Sequence, residues 1–274
     1  MRVITLVDNI STSDVLGCEH GLSLYIETKK HKILFDSGSS MLFAENARKM
    51  SVDLAKIDIV VISHGHYDHG GGLGTFLNLN HHAKIYIHKT AFGDYYSRQT
   101  DGKMKYIGLD KAFQTNERFV FVDGHHVIDE ELELFSSVSG VKLEPSGNRD
   151  LFVKRVESFE PDDFSHEQNL IIKENKNMVL LAGCAHHGIV NILDQFFIDK
   201  KCQPSHVIGG FHLYNRSSGQ YENPNMISEI GSNLLRTGAV FYTCHCTGIN
   251  AYEQLKLIMG KNVNYQSTGN QMSI

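Results

Sequence analysis

The segment from 63 to 72 reads SHGHYDHGGG and carries the strongest chemical signature in the chain. It places His64, His66, Asp68 and His69 close together in the sequence. Burying imidazoles and a carboxylate together is costly unless a cation offsets their desolvation and repulsion. We therefore interpret the cluster as a metal site rather than a solvated histidine-rich loop. Imidazole and carboxylate ligands suit zinc, iron and manganese, so the ligand types leave the identity of the metal open.

The spacing of these residues predicts two ions. His64, His66 and Asp68 recur at every second residue, so an extended or tightly turning loop can direct all three into one pocket. The adjacent His69 then points elsewhere and suits a second ion. The preceding run, 57–62 (IDIVVI), is typical of a strand buried on both faces, so the ligands leave a rigid strand end. The glycines at 70–72 permit a sharp turn, and a helix is expected over 73–77.

Three later segments repeat the theme of a buried strand that ends in a histidine-bearing, glycine-containing turn. Strand 178–182 (MVLLA) precedes Cys184 and His186, strand 205–208 precedes His212, and strand 239–243 precedes His245. Strand ends are where α/β proteins place ligands. The other expected strands are 1–8, 22–28, 31–36, 84–88, 118–122 and 169–173, and the other expected helices are 41–50, 189–198, 226–235 and 250–259.

Composition is that of an ordinary globular chain, and we expect one domain over 1–274. Hydrophobic residues make up 41% and charged residues 21%, and the net charge of −5 disfavours a nucleic-acid partner. The start, MRVITLVDNI, resembles neither a signal peptide nor a membrane span. The five cysteines lack a paired metal-knuckle spacing and indicate reduced thiols. We expect a cytoplasmic protein with a small-molecule substrate and no membrane partner, and the oligomeric state stays open.

The segment from 92 to 113 is aromatic and polar without a clear period. We interpret it as a lid, a loop or broken helix that covers the metal pocket and contacts an anionic, partly flat substrate. Arg98 and Lys103 would then meet the anion. The aromatic residues could stack on a flat heterocycle or simply pack within the loop: Phe92, Tyr95, Tyr96 and Tyr106.

The chain resembles the metallo-β-lactamase superfamily, whose HxHxDH motif stands here as His64, His66, Asp68 and His69. More narrowly, it resembles the branch described as dihydropterin ribofuranosylaminobenzene-phosphate synthase-like. The segments that carry this likeness are DN at 8–9, EHGLSL at 19–24, ILFDSG at 33–38, LAGCAHHGIVNIL at 181–193, HVIGGFHL at 206–213 and TCHCTG at 243–248. The resemblance implies an α/β fold, a four-layer αββα sandwich.

The resemblance also implies a ligand set. One ion would be held by His64, His66 and His186, and the other by Asp68, His69 and His245. Cys184 is either an extra donor or a small buried thiol. The family also has a histidine in the loop before the middle strand, and Asp163 or His166 could fill that role here. His212 would act on the substrate by hydrogen bonding or proton transfer. Four further residues are expected to hydrogen-bond the ligating imidazoles and so orient them: Asp8, Glu19, His20 and Asp36.

The leading prediction is a hydrolase with two divalent ions, zinc as the first choice and iron or manganese as alternatives. A water acidified by the ions would attack a small, anionic ester or phosphoester, with Asp68 holding the water and moving its proton. One alternative is a pterin-condensing synthase in which the ions act as Lewis acids. Another is a non-catalytic metal-binding protein or redox sensor that uses Cys184, Cys244 and Cys246.

Overall fold

The computed structural model describes residues 1–274. Its strands, in chain order, are β1 (Arg2–Val7), β2 (Ser23–Glu27), β3 (Lys32–Phe35), β4 (Ile59–Val61), β5 (Lys84–His88), β6 (Tyr95–Arg98), β7 (Met104–Tyr106), β8 (Phe119–Val122), β9 (His125–Val127), β10 (Leu132–Phe135), β11 (Leu151–Arg155), β12 (Ser158–Pro161), β13 (Asn169–Glu174), β14 (Asn177–Leu181), β15 (His206–Gly209), β16 (Tyr214–Asn215), β17 (Gln220–Tyr221), β18 (Val240–Thr243), β19 (Val263–Tyr265) and β20 (Gln271–Ser273). The α-helices are α1 (Leu42–Lys49), α2 (Tyr67–Gly70), α3 (Leu73–Leu79), α4 (Ile189–Lys200), α5 (Pro224–Arg236) and α6 (Ile249–Met259). Short 3₁₀ turns occupy Leu54–Lys56, Lys111–Phe113, Ser146–Asp150, His245–Thr247 and Gly260–Asn262.

Two seven-stranded mixed sheets form the centre of the molecule. The first has the order β20-β1-β2-β3-β4-β5-β8, and the second has the order β19-β18-β15-β14-β13-β10-β9. In the first sheet, β3, β4, β5 and β8 run parallel; in the second, β14, β15, β18 and β19 do. Helical connections between these parallel strands cover the outer faces. No helix in the structure combines the length and the apolar character needed to cross a lipid bilayer.

Alternation along the central strands creates the layers. In β3, Ile33 and Phe35 pack between the two sheets, whereas Leu34 packs against the α1 and α3 side. In β14, Leu181 faces the first sheet and Leu180 faces α4, α5 and α6. Successive strand residues point to opposite faces, and both faces are covered here, so these strands need continuous apolar sequence. The result is the four-layer αββα sandwich.

Asn80 and Phe43 show how the outer helices are fixed to the first sheet. Phe43 of α1 is fully buried in that layer. The buried Asn80 ends α3, and its side-chain amide donates to the carbonyl oxygens of Leu54 and Ile57 at 3.0 and 2.8 Å. These contacts hold the chain that leads into β4, and therefore fix the start of the loop that bears His64 and His66.

The segment from 92 to 113 is not the loop or broken helix that its sequence suggested. It contains the β6–β7 hairpin, which continues into a four-stranded sheet of order β12-β11-β6-β7. Tyr95 packs on His166, and Tyr96 contacts Tyr106 and Phe159 edge-on. Pairing between strands supplies the backbone hydrogen bonds of the hairpin. Strands of three and four residues are too short to show a periodic sequence pattern, so the sequence did not reveal them.

Candidate metal centre and active site

Three imidazoles converge where the loops after β4 and β14 meet. His64, His66 and His186 are buried, and their candidate ligand atoms all lie within 4.8 Å of one another. The Nε2 atom of each is buried and has no hydrogen-bond partner. Burial lowers the pKa of all three, and those of His64 and His186 fall well below the usual value. Neutral rings with unpaired nitrogens are suited to metal binding and otherwise costly to bury.

Hydrogen bonds at Nδ1 determine which way the lone pairs of His64 and His186 point. The Ser63 hydroxyl donates to Asp36 Oδ2 at 2.7 Å, so its oxygen accepts from His64 Nδ1 at 2.9 Å. His186 Nδ1 donates to Asn148 Oδ1 at 3.1 Å, and Asn148 Nδ2 donates to the His186 carbonyl at 2.7 Å, which fixes the amide orientation. Both tautomers leave a lone pair on Nε2, as a metal ligand requires.

A second cluster adjoins the first. Asp68 Oδ2 lies 3.7 Å from His69 Nε2 and 3.2 Å from His245 Nε2, and the two imidazole nitrogens are 3.2 Å apart. Asp68 and His69 share this cluster because residues 67–70 form the helical turn α2 rather than a continuously extended loop. The spacing predicted that His64, His66 and Asp68 would share one pocket. Only His64 and His66 do so, and Asp68 lies with His69 instead.

The carboxylates around the second cluster favour a positive charge within it. His69 Nδ1 lies 2.6 Å from Asp36 Oδ2, and His245 Nδ1 lies 2.8 Å from Asn9 Oδ1. Burial alone would lower the pKa of His69, but Asp36 and Asp68 outweigh it and raise the pKa to about 9. Burial would also raise the pKa of Asp68, but the neighbouring His69 and His20 bring it well below its usual value. This donor set fits a divalent cation, which would replace the proton between the rings.

Cys184 and His20 border the second cluster. Cys184 Sγ lies 3.1 Å from His69 Nε2, so it is positioned as a possible further donor, although burial raises the pKa of its thiol well above the usual value. His20 Nε2 lies 3.1 Å from Asp68 Oδ2, and its ring is 4.9 Å from that of His245. His20 thus contacts a carboxylate ligand rather than orienting an imidazole.

The orienting contacts come partly from residues that sequence reasoning missed. Asp36 accepts from the backbone and hydroxyl of Ser63 and contacts His69, and Asp8 Oδ1 accepts from the His245 backbone at 2.6 Å. Glu19 instead binds the turn at Ser39 and Ser40. The residues missed were Asn9, Asn148 and Glu167, and the DN pair at 8–9 was the one available signal for Asn9.

Glu167 holds the turn that presents His186. Its carboxylate accepts from the backbone amides of His186 and His187 at 2.6 and 3.1 Å and contacts His187 Nδ1 at 2.8 Å. Burial alone would raise the pKa of Glu167, but these contacts with His187 and the backbone lower it. The turn that carries His186 is therefore held by a buried, ionised carboxylate rather than by solvent.

Neither Asp163 nor His166 joins the metal cluster. Asp163 is exposed and pairs with Arg155 at 3.2 Å. His166 is buried, but Nδ1 accepts from the Gly65 amide at 2.9 Å and Nε2 contacts Asp162 Oδ2 at 3.1 Å. Both ring nitrogens are thus used in holding the loop that bears His64 and His66, and no lone pair is left for an ion.

The glycines at 70–72 serve close packing. A Cβ at Gly71 would lie 2.3 Å from the Ser39 carbonyl oxygen, and one at Gly72 would lie 2.3 Å from that of Ser37. Neither glycine has a positive φ angle. The loop therefore needs glycine because another stretch of backbone lies directly against it.

A cavity of about 290 Å³ opens onto both clusters. His66, Asp68, His186 and His245 line its floor, together with Cys184 and His212. His212 has a φ of 50°, and its buried Nδ1 has no partner. The remaining wall belongs to the β6–β7 and β16–β17 hairpins and the turn at 146–150. A reacting group could thus reach the metal-binding donors from solvent.

Arg98 and Lys103 do not meet this cavity. Arg98 donates to Asp150 Oδ1 at 2.9 Å, and Lys103 is highly exposed and pairs with Asp101 at 3.0 Å. The predicted aromatic platform is also absent from the cavity wall, where Tyr67 and Tyr214 stand instead. The basic residues of the wall are Lys105 and Arg216. The sequence could not show which of these four basic residues face the cavity, because acidic neighbours in space decide which of them are neutralised elsewhere.

An αββα sandwich with an HxHxDH loop at the edge of its sheets defines a class of metal-binding α/β proteins. The family model for the metallo-beta-lactamase superfamily matches residues 16–153, and the chain belongs to that superfamily.

Similarity to individual proteins extends over almost the whole chain. The crystal structure of Tm1679, a metal-dependent hydrolase of the beta-lactamase superfamily, has 30% identity and a TM-score of 0.81, with coverage of 100% of this chain and 99% of that one. An uncharacterized protein of Methanocaldococcus jannaschii is 29% identical over 91% of this chain and 92% of its own length. The 7,8-dihydropterin-6-methyl-4-(beta-D-ribofuranosyl)-aminobenzene-5'-phosphate synthase of the same organism is 26% identical over 92% of this chain and 89% of its own length.

Proposed function

We propose that this protein is a hydrolase that binds two divalent ions, with zinc as the first choice, and cleaves a small anionic ester or phosphoester. The observation that carries the proposal is the set of three unpaired, buried Nε2 atoms beside the Asp68–His69–His245 cluster, at the floor of a solvent-connected cavity. The 30% identical metal-dependent hydrolase of the same fold supports it.

Each cluster is assigned one ion. His64, His66 and His186 would hold the first, and Asp68, His69 and His245 would hold the second, with Cys184 beside it. When bound, such ions lower the pKa of a water and offset developing negative charge on a carbonyl or phosphoryl oxygen. Asp36, Asn148 and Asn9 keep three of the imidazoles, those of His69, His186 and His245, in orientations that aim Nε2 inward.

Two residues would act directly in the reaction. Asp68 lines the cavity, and the carboxylate oxygen that does not bind the ion would accept the proton of the attacking water. His212 presents a buried nitrogen with no partner beside His186, at a ring-centroid distance of 4.3 Å, and would hydrogen-bond the substrate or protonate its leaving group. Its Nδ1 is the free atom for this role because no protein group occupies it.

Metal analysis tests the two-ion assignment. Wild-type protein purified without added metal should contain two ions per chain, and His64→Ala and His69→Ala should each lose a different one because their Nε2 atoms belong to different clusters. Retention of two ions in both variants would contradict the assignment. His81→Ala is a suitable control, since this imidazole is exposed and remote in sequence from every proposed ligand.

A synthase is the second candidate because a 26% identical relative that spans nearly the whole chain bears a synthase name. Phosphodiesters, lactones and pterin phosphates should be offered separately to the metal-loaded protein. Turnover of an ester supports the hydrolase, and coupling of a pterin phosphate to an aminobenzene riboside phosphate supports the synthase. Inactivity toward all of them, with metal bound, supports a binding or sensing role.

A further inference from the structure

Two cations at the cavity wall have no carboxylate partner. Lys105 lies on β7 and Arg216 in the turn between β16 and β17, and both line the cavity that contains the metal-binding donors. Their contacts converge on Tyr67: Lys105 Nζ is 5.7 Å from the ring centroid, and Arg216 Nη1 donates to the hydroxyl at 3.3 Å. Two hairpins distant in sequence therefore bring their positive charges to the same aromatic ring.

The acidic residues of the cavity are already engaged. Asp150 Oδ1 accepts from Arg98 Nη2 at 2.9 Å, and its Oδ2 accepts from Asn215 Nδ2 at 2.9 Å. Asp68 lies among His20, His69 and His245. Arg98 thus neutralises Asp150, and the charges of Lys105 and Arg216 remain available to a ligand.

Neutral donors stand on the same two hairpins. The hydroxyl oxygens of Ser97 and Ser217 are 2.9 Å apart, and the Gln99 side-chain amide donates to the carbonyl and hydroxyl oxygens of Ser97, both at 3.3 Å. One of the two hydroxyls donates to the other, so the second keeps a hydrogen that a ligand can accept. All three residues line the cavity. The wall therefore offers an oxyanion two charges and one further hydrogen bond.

We propose that Lys105 and Arg216 bind a phosphate monoester group of the substrate, with the Ser97–Ser217 hydroxyl pair as a supporting donor. This inference rests on the proposed function in one respect: it assumes that the substrate binds in this cavity. A phosphate monoester carries a charge of about −1.5 to −2 at neutral pH and three acceptor oxygens, which matches two cations plus a neutral donor. A carboxylate, with one charge and two oxygens, leaves one cation without a partner. Guanidinium provides a planar fork for two oxygens, and the ammonium acts as a point charge.

Phenylphosphonate, used above its second pKa, is a suitable probe because its dianionic headgroup imitates a phosphate monoester but contains no bond that a phosphoesterase cleaves. Its affinity should be measured by titration calorimetry with the protein as purified and again after removal of metal by chelation. Lys105→Ala/Arg216→Ala should bind it at least about tenfold more weakly in both states. The charge-matched control Lys103→Ala/Arg236→Ala should stay within about twofold of wild type, because neither of its residues lines the cavity.

The outcomes separate this site from the metal centre. Equal affinity of wild type and Lys105→Ala/Arg216→Ala would overturn the proposal, since binding would then depend on metal or on other residues. An equal loss of affinity for benzoate would overturn the phosphate assignment in favour of a carboxylate. A selective loss for phenylphosphonate in protein that shows no hydrolysis would support the anion site while the proposed hydrolase fails. If the double variant unfolds, Lys105→Gln and Arg216→Gln, measured singly, should each weaken binding, and unchanged affinity in both would overturn the proposal.

Discussion

Asp68 and His212 face the same cavity but have different surroundings. Asp68 lies within 3.7 Å of three imidazole nitrogens, whereas His212 Nδ1 has no partner and its backbone amide donates to Cys246 Sγ at 3.2 Å. Loss of the Asp68 charge would thus alter both the metal cluster and the proposed proton acceptor. Loss of the His212 ring would remove a substrate contact and a neighbour of His186, but none of the proposed ligands.

We expect Asp68→Asn to lower kcat by about 10²–10³-fold and His212→Asn by about tenfold, because the proposed mechanism needs the Asp68 carboxylate to accept a proton in the bond-making step. Asparagine suits both positions: it is isosteric with aspartate, and it tolerates the left-handed φ of 50° at His212. The measurement is steady-state turnover with metal content determined in parallel. Near-normal turnover of metal-loaded Asp68→Asn would contradict the proposed proton transfer.

Glu133 shows how an ionic cluster joins separate elements of the second sheet and its helix layer. Its carboxylate on β10 contacts Lys173 on β13, Lys200 at the end of α4 and His125 on β9, the last at 3.0 Å. Glu133 is only 5% exposed. Burial alone would raise the pKa of Glu133, but hydrogen bonds from Lys173, Lys200 and His125 outweigh it and lower the pKa to about 2.

Because this pKa is lower in the folded protein than in the unfolded chain, ionised Glu133 stabilises the fold above the unfolded value of about 4.3. That contribution is lost as the pH falls toward about 2. Glu133→Gln should therefore lower the free energy of unfolding by about 2 kcal/mol at neutral pH, with the difference shrinking steadily on acidification.

Denaturant unfolding at several pH values would measure the effect of Glu133→Gln. Glu130→Gln is the matched control, since Glu130 is exposed and pairs only with the exposed Lys30. We expect little change in that variant. A pH-independent difference between wild type and Glu133→Gln would show that packing rather than charge accounts for the effect.

At the scale of the whole molecule, the proposed metal ligands come from both halves of the sandwich. His64, His66, Asp68 and His69 follow the first sheet, whereas Cys184, His186 and His245 follow strands of the second. Ions held by both sets would therefore bridge the sheets. A ligand that binds the folded state alone stabilises it by RT ln(1 + [L]/Kd), and the unfolded chain lacks the assembled site.

Removal of metal with a chelator should lower the Tm of wild type, and re-addition of Zn²⁺ should restore it. With free Zn²⁺ at about a hundred times Kd the shift should be roughly 5–10 °C, from about 2.7 kcal/mol of binding linkage. His186→Ala should respond less, because it lacks one of the three unpaired Nε2 donors. His81→Ala should respond as wild type does, and a wild-type Tm that ignores Zn²⁺ would contradict a bridging metal centre.

Much of the architecture follows from local sequence. Continuous apolar runs predicted the central strands β3, β4, β14, β15 and β18, and apolar periodicity or capping signals predicted α1, α4, α5 and α6, each within a few residues of its observed bounds. The HxHxDH motif and the histidines after β14 and β18 likewise predicted donors that the structure brings together. Side-chain period and residue type are encoded over a few positions, so one sequence reveals them.

The tertiary structure decided which neighbours complete the site. Asn148 lies 38 residues from His186 and Asn9 lies 236 residues from His245, yet these amides orient the two rings. The same applies to charge: Asp150, 52 residues away, neutralises Arg98, whereas Lys105 keeps its charge at the cavity wall. The loop or broken helix predicted for 92–113 was wrong because β6 and β7 gain their order from pairing with each other and with β11, not from their own period. The segment nevertheless lines the cavity, so its role as a lid stays a prediction. Residue type determines which hydrogen bonds and ligand bonds a side chain can make, but long-range packing determines the partner with which it makes them.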